Sequence, residues 1–446
     1  MTALAINSNI STLGISRATG FAATITVEKG FGGAMKQAAA TSPAEPRVIY
    51  RPEPSGPAVR SSQPFALPDL PAPAGNVDWR ARAWLDWMRL IGWPGIQERT
   101  VSQARNDLRL LTAATSIWQP VAGVRNAIIP RLGRDLPIRI YDPLTGVEPR
   151  PLLVWYHGGG FVLGDLVTAD PTCRSLANRS GAVVVSVDYR LAPEDGCLAG
   201  IDDAHAAFLW AVQNAASLGC DPSMVVVGGE SAGATLSALV SLRCRDEGDS
   251  MPALQVLVYP CSDCSHELSN RDPAVAQLLT WDVIDWFAGH CFNGLGATDP
   301  RISPYFVKDL AGLPPALLIT AESDLLCTDG EAYGQRLQNA GVPVEHCRYN
   351  GQIHGFLTMD LVFPAARRAQ RQVATRLRAL STNGQRQMAL RPVSQIVSLQ
   401  PSAWFGAFME VMTRTPPVLA AQLAAALLQH KIESRTYENK AHSRRE

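Results

Sequence analysis

The sequence predicts an α/β fold in which a mostly parallel central sheet is flanked by helices, with a smaller helical cap region ahead of it. Three observations carry that expectation. Short, continuously apolar runs recur through the middle of the chain: PIRIY at 137–141, LLVWY at 152–156, VVVSV at 183–187, MVVVG at 224–228, LQVLVY at 254–259 and ALLIT at 316–320. Runs without polar alternation suit strands buried on both faces. Between them lie the helical patterns DPTCRSLANRSG, DDAHAAFLWAVQNAASLG, SAGATLSALVSLRCRDEG and TDGEAYGQRLQNAG, and this alternation implies parallel pairing with helices on both faces. The third observation is VVVGGESAGATLSALV at 225–240, where a strand pattern passes through Gly-x-Ser-x-Gly directly into a helix.

In chain order, residues 1–75 are rich in Ala, Ser, Pro and Gly and read as a low-complexity, disordered N-terminal extension ending in a proline-studded linker. They lack a basic segment followed by a continuous apolar stretch, so no secretory leader is expected and the reading is cytoplasmic. Residues 76–130 form the helical cap region. It places Trp79, Trp84, Trp87, Met88 and Leu90 at mostly helical spacing. The tryptophans either pack on the main domain or line a pocket from a lid. The α/β domain spans 131–382. Residues 383–446 read as a C-terminal extension or tail, with two short helices split at Pro416 and Pro417.

Composition excludes several functions. The 446 residues balance 40 acidic against 40 basic side chains, so net charge recruits neither nucleic acid nor an anionic membrane surface. No uncharged run reaches the roughly 18 apolar residues that a spanning helix needs. The expected partner is a small molecule or another protein. Nine cysteines, an odd number, do not suggest a disulfide framework. Cys261 and Cys264 form a single CxxC without a second pair, which reads as two thiols rather than a zinc site.

The chemistry centres on Ser231. A strand ending at Gly228 and a helix starting just after Ser231 leave room only for a sharp turn, which lifts the hydroxyl above the sheet. A serine that merely caps a helix needs no glycine two residues before and two after it. A serine nucleophile needs a base near neutral pH. Of the eight histidines, His354 is the best placed, in the glycine-rich loop after VEHCRY. His205 and His290 fall in helical patterns, His346 falls in a strand, and His430 and His442 lie in the tail. An acid must orient the base: Asp324, in the loop after ALLIT, is the candidate, and Glu322 in the same loop competes. Asp329 is a poorer choice, since Thr328 and Glu331 suggest a capping box that puts Asp329 in a helix's first turn. The glycines of HGGGF at 157–161 allow close backbone approach. The N–H groups of Gly158, Gly159 and Ala232 are therefore the expected oxyanion hole, and His157 is expected to fix that loop by hydrogen bonds.

Taken together, HGGGFVLGD at 157–165, VDYRLAPE at 187–194, GESAG at 229–233, SDLLCTDGE around Asp324 and HGF at 354–356 resemble the hormone-sensitive-lipase-like esterases, the bacterial family IV lipolytic enzymes. The likeness covers about 76–382. It implies an α/β-hydrolase core, a Ser-Asp-His order, hydrolysis of short- to medium-chain acyl esters through an acyl-enzyme, no metal, no organic cofactor and a homodimer. Two departures stand out: Glu230 replaces the more usual Asp, and Asp195-Gly196-Cys197-Leu198 replaces the usual His-Pro-Phe-Pro type segment. An amidase, lactonase or acyltransferase would use the same triad. A ligand-binding receptor on this scaffold, as in the plant gibberellin receptors, would lack the histidine that stands here at position 354.

Overall fold

A computed structural model describes residues 77–382, apart from 132, 133, 270, 271, 273 and 293, together with 395–397. The N-terminal extension and the tail segment expected to form two helices around Pro416 lie outside the described residues.

The expected α/β fold is observed. Among the described residues, nine strands run in the order β1-β2-β4-β3-β5-β6-β7-β8-β9. β1 (Gly123–Ile129) and β2 (Leu136–Asp142) are antiparallel to each other, and β2 is antiparallel to β4. β3 (Leu152–Tyr156), β4 (Val183–Val187), β5 (Val225–Glu230), β6 (Gln255–Val258), β7 (Ala316–Ser323) and β8 (Val344–Ile353) pair in parallel, and β9 (Gln395–Val397) extends that edge.

The central strands divide their side chains between two cores, as a period of two requires. Leu152, Val154 and Tyr156 of β3 join Val225 and Val227 of β5 on one face, whereas Leu153, Trp155 and Val226 belong to the other. The first face is covered by α4 (Cys197–Asn214), α5 (Ala232–Glu247) and α7 (Cys327–Asn339). The second is covered by α1 (Trp79–Leu90), α3 (Leu166–Ser180) and α8 (Pro364–Thr382). Helix ends follow local chemistry. Asp165 accepts from the N–H groups of Val167 and Thr168, capping α3. A Thr100–Gln103 capping box opens α2 (Val101–Thr115).

The cap region differs from its sequence reading in two ways. Its helices end at Thr115, and residues 123–129 are an edge strand of the sheet. That strand was missed because its exposed Arg125 and Asn126 interrupt any apolar run. Two tryptophans of α1 pack on the main domain, while Trp79 is exposed: Trp84 is buried in the second core with its ring 4.9 Å from that of the partly buried Trp87. Cleft contacts come instead from α2. Among the described residues, no helix is long and apolar enough to cross a membrane.

Candidate active site

Ser231 is the single residue between β5 and α5, and its φ of 56° is sparsely populated for a residue with a side chain. Two neighbours make this turn feasible. The Ser231 N–H donates to the Val258 carbonyl at 2.9 Å. At Gly233, any Cβ would fall on the Tyr156 carbonyl oxygen, so only glycine lets the new helix start this close to β3.

β8 ends at Ile353 and hands the chain to His354, while β7 ends at Ser323 and hands it to Asp324. Because both strands run parallel to β5, all three carboxyl ends open at one edge of the sheet. His354 Nε2 lies 2.9 Å from Ser231 Oγ, and His354 Nδ1 lies 2.7 Å from Asp324 Oδ2. The pattern assigns the proton on Nδ1 and leaves Nε2 to accept from the serine. Asp324 Oδ1 accepts the Leu326 N–H at 3.0 Å, which fixes the carboxylate. Burial disfavours the imidazolium of His354. The charge and hydrogen bond of Asp324 and the charge of Glu230 outweigh it, so its pKa lies above the ordinary histidine value.

Glu322 is turned to another task, accepting the Gly351 N–H at 2.7 Å. Asp329 does sit in the first turn of α7, where it accepts from the Ser262 N–H and hydroxyl. The Thr328–Glu331 capping box does not form. α7 starts at Cys327, Thr328 Oγ1 donates to the Leu268 carbonyl, and Glu331 is drawn into a buried bidentate pair with Arg348 of β8. A long-range ion pair here overrides a local pattern.

The glycine loop holds a correction. The Gly158 N–H donates to the Glu230 carboxylate, which packs against the Gly158 Cα, so this N–H is not available to an oxyanion. Among the described residues, the N–H groups of Gly159, Gly160 and Ala232 have no protein partner. The unclaimed loop donors are therefore Gly159 and Gly160, one step later than the sequence reading had them. Gly160 has φ 60°, and a Cβ there would enter the Phe287 ring. Burial pushes the Glu230 carboxyl up to about 7, against the opposing pull of the Gly158 N–H and of His354.

His157 takes a supporting place. Its ring stacks on Tyr189 at 4.3 Å, its Nδ1 faces the Gly158 carbonyl at 2.8 Å, and Tyr189 donates to its carbonyl at 2.7 Å. Burial pushes it down to about 4, so it is neutral at pH 7. His205 and His290 lie in α4 and α6 (Trp281–Cys291), and His346 lies in β8, all away from the triad. The substituted segment at 195–198 leads into α4 at Cys197. Arg190 holds the preceding loop through Asp203, and Arg105 holds it through Glu194.

Above Ser231 opens a cleft of about 210 Å³. Leu108 and Leu111 of α2 form one wall, Val283, Ile284 and Phe287 of α6 form another, and Met359 lies across from them. Sequence reasoning placed His290 in a helical pattern but did not assign α6 to the cleft, although Val283, Ile284, Phe287 and Cys291 recur at helical spacing. It also missed Tyr259, whose backbone has φ 38° and whose ring lies 4.9 Å from that of His354. Cys261 and Cys264 line the cleft with their sulfurs 4.0 Å apart, and the nine cysteines, all among the described residues, form no disulfide.

Comparisons with known proteins agree with the fold. A family model described as the alpha/beta hydrolase fold matches residues 153–358. The carboxylesterase NlhH of Mycobacterium tuberculosis is 44% identical over 252 residues, covering 55% of this chain and 79% of its own. The carboxylic ester hydrolase LipN of the same organism is 37% identical over 317 residues, covering 66% and 84%. Among solved structures, the ester-hydrolase EH1AB1 from the metagenome of Lake Arreo, complexed with a derivative of bipyridine phosphonate, is 37% identical. It has a TM-score of 0.65 and covers 68% of this chain and 99% of its own.

Proposed function

The chain belongs to the hormone-sensitive-lipase-like esterases of the α/β-hydrolase superfamily and is a carboxylic ester hydrolase; from that premise we propose that it cleaves short- to medium-chain acyl esters through an acyl-enzyme on Ser231. The observation that carries this reading is the continuous hydrogen-bond chain from Ser231 Oγ through His354 to Asp324, at 2.9 and 2.7 Å.

Ser231 Oγ attacks the ester carbonyl as His354 Nε2 takes its proton. The negative charge passes to the carbonyl oxygen, which meets the N–H groups of Gly159, Gly160 and Ala232. His354 then gives its proton to the departing alkoxide, leaving the acyl group on Ser231. Water, deprotonated by the same nitrogen, attacks that acyl group; as the adduct collapses, His354 returns the proton to Ser231 Oγ, the carboxylic acid leaves and the free enzyme is restored. Asp324 holds the imidazole in the working tautomer and stabilises its charged form throughout. The apolar walls and small volume of the cleft favour acyl chains of limited length.

The test is hydrolysis of a p-nitrophenyl ester series, acetyl to palmitoyl, by the wild type and by Ser231→Ala. Turnover should peak at the shorter chains and fall by several orders of magnitude in the variant. Appreciable turnover by a folded Ser231→Ala protein would overturn the assignment of the nucleophile, and a peak at palmitoyl would overturn the chain-length reading.

A further inference from the structure

Away from the cleft, His205, Cys244 and Asp249 each bring one metal-ligating atom to within 4.8 Å of the others. Their convergence follows from how α5 ends. The helix stops at Gly248, whose φ of 73° turns the chain back so that the Asp249 N–H donates to the Cys244 carbonyl at 2.8 Å. Positions 244 and 249 are thereby held side by side. α4 packs alongside and presents His205, whose Nε2 lies 3.0 Å from Asp249 Oδ2. The three ligands thus stand on two helices and a hydrogen-bonded turn, which places them more rigidly than a mobile loop would.

The donor set and exposure suit a borderline-soft divalent ion. Tetrahedral zinc accepts imidazole nitrogen, thiolate sulfur and carboxylate oxygen at about 2.0–2.3 Å, so its ligand atoms lie roughly 3.3–3.6 Å from one another. The histidine–aspartate separation already approaches that spacing. Cys244 and His205 are buried, while the Asp249 side chain is 30% exposed and opens a route for the ion. Arg243, the nearby cation, is held by Asp202 and Glu247 at 2.6 Å each.

We infer that His205, Cys244 and Asp249 form a zinc-binding site, completed by water, which staples α4 to the end of the helix whose other end follows Ser231. Binding replaces the His205–Asp249 hydrogen bond: the Nε2 proton passes to Nδ1 as the ring changes tautomer, the Cys244 thiol proton is released to solvent, and one Zn–N, one Zn–S and one Zn–O bond displace zinc-bound waters, with no change of oxidation state. Its helix ligand Cys244 lies about 20 Å along α5 from the nucleophile, and the site takes no part in ester cleavage.

The experiment treats the full-length protein with a chelator, then titrates it with Co²⁺ as a spectroscopic stand-in and with Zn²⁺ in competition. One equivalent of Co²⁺ should give tetrahedral d–d bands and a thiolate-to-cobalt charge-transfer band, both bleached by one equivalent of Zn²⁺. Cys244→Ala and Asp249→Asn should each weaken binding by more than the 10–100-fold typical of losing an outer partner of a metal ligand, while p-nitrophenyl ester turnover stays at the wild-type level. The double variant Cys261→Ser/Cys264→Ser should leave the cobalt spectrum unchanged. Absence of the charge-transfer band, its survival in Asp249→Asn, or its loss in the Cys261/Cys264 variant would overturn the proposal. Asp249 lies at the surface, so its variant carries the test even if Cys244→Ala fails to fold.

Discussion

The floor and the walls of the cleft are built by different means. The floor consists of strand ends, a one-residue turn and a glycine loop, and its working groups are largely backbone N–H groups and three side chains held at strand termini. The walls are side chains of α2 and α6, segments more than 150 residues apart in the sequence. Backbone geometry demands particular residues at particular spacings, whereas an apolar wall accepts any side chain of suitable bulk. Changes to the floor should therefore remove the chemistry, and changes to the walls should redirect it.

The largest effect is expected at the acid. Asp324→Asn keeps the shape but offers the wrong partner to His354 Nδ1, and the corresponding change in a serine protease lowers kcat about 10⁴-fold. A loss of that order is expected here in steady-state ester hydrolysis. Glu322→Gln should cost far less activity, because its carboxylate serves the Gly351 N–H. Equal losses from the two variants would restore Glu322 as a rival and blur the distinction between reacting and supporting carboxylates.

Next comes the glycine loop. Gly160→Ala puts a side chain on a backbone at φ 60° and against Phe287, which displaces one of the two unclaimed loop N–H groups. Losing one oxyanion donor typically costs about 10²–10³-fold in kcat, and that range is expected with KM little changed. Adding Phe287→Ala removes the clash but not the backbone strain. If the double variant recovered fully, the loop would be governed by its wall rather than by its own conformation.

How much of this was legible in the sequence follows the same division. Ser231 and Asp324 could be named because each follows an apolar strand run, and His354 because it stands in the glycine-rich loop after VEHCRY; the chain direction of a parallel sheet carries such residues to one edge. The error at Gly158 arose because counting glycines does not reveal which N–H a neighbouring side chain has claimed. Glu230 is long enough to reach it, and only the folded turn brings the two together. The Thr328–Glu331 pattern misled for a related reason: Arg348 lies 17 residues beyond Glu331 but adjacent in space. The tryptophans of α1 are frequent enough to attract notice, but composition does not state which face of the sheet they cover.

Glu230 links floor chemistry to pH. In its ionised form the Glu230 carboxylate favours the imidazolium of His354, whose pKa is raised chiefly by the charge and hydrogen bond of Asp324 and in smaller part by Glu230. Catalysis needs the neutral imidazole, so kcat/KM should rise with pH through a midpoint above the ordinary histidine value of about 6.5. In Glu230→Gln the negative charge disappears, the imidazolium is less favoured, and the midpoint should move down. The amide can still accept the Gly158 N–H, so turnover at pH 8 should fall by less than in Gly160→Ala. A midpoint that stays in place or moves up would mean that Glu230 acts on the loop alone.

The smallest effect in rate, and the sharpest test of the walls, is Phe287→Ala. The ring is half-buried, lines the cleft and abuts Gly160. Removing it enlarges the space beside Ser231 without touching any group that bonds to the reacting atoms. In a hydrophobic pocket one methylene is worth about 1–3 kcal/mol, a discrimination of about 10–200-fold. The preferred p-nitrophenyl ester should accordingly shift to a longer acyl chain, with kcat/KM for that chain rising about tenfold relative to acetyl. A fall in kcat shared equally by all chain lengths would be informative in the opposite sense. It would mean that the ring props up the Gly160 backbone, so that this stretch of wall is part of the floor.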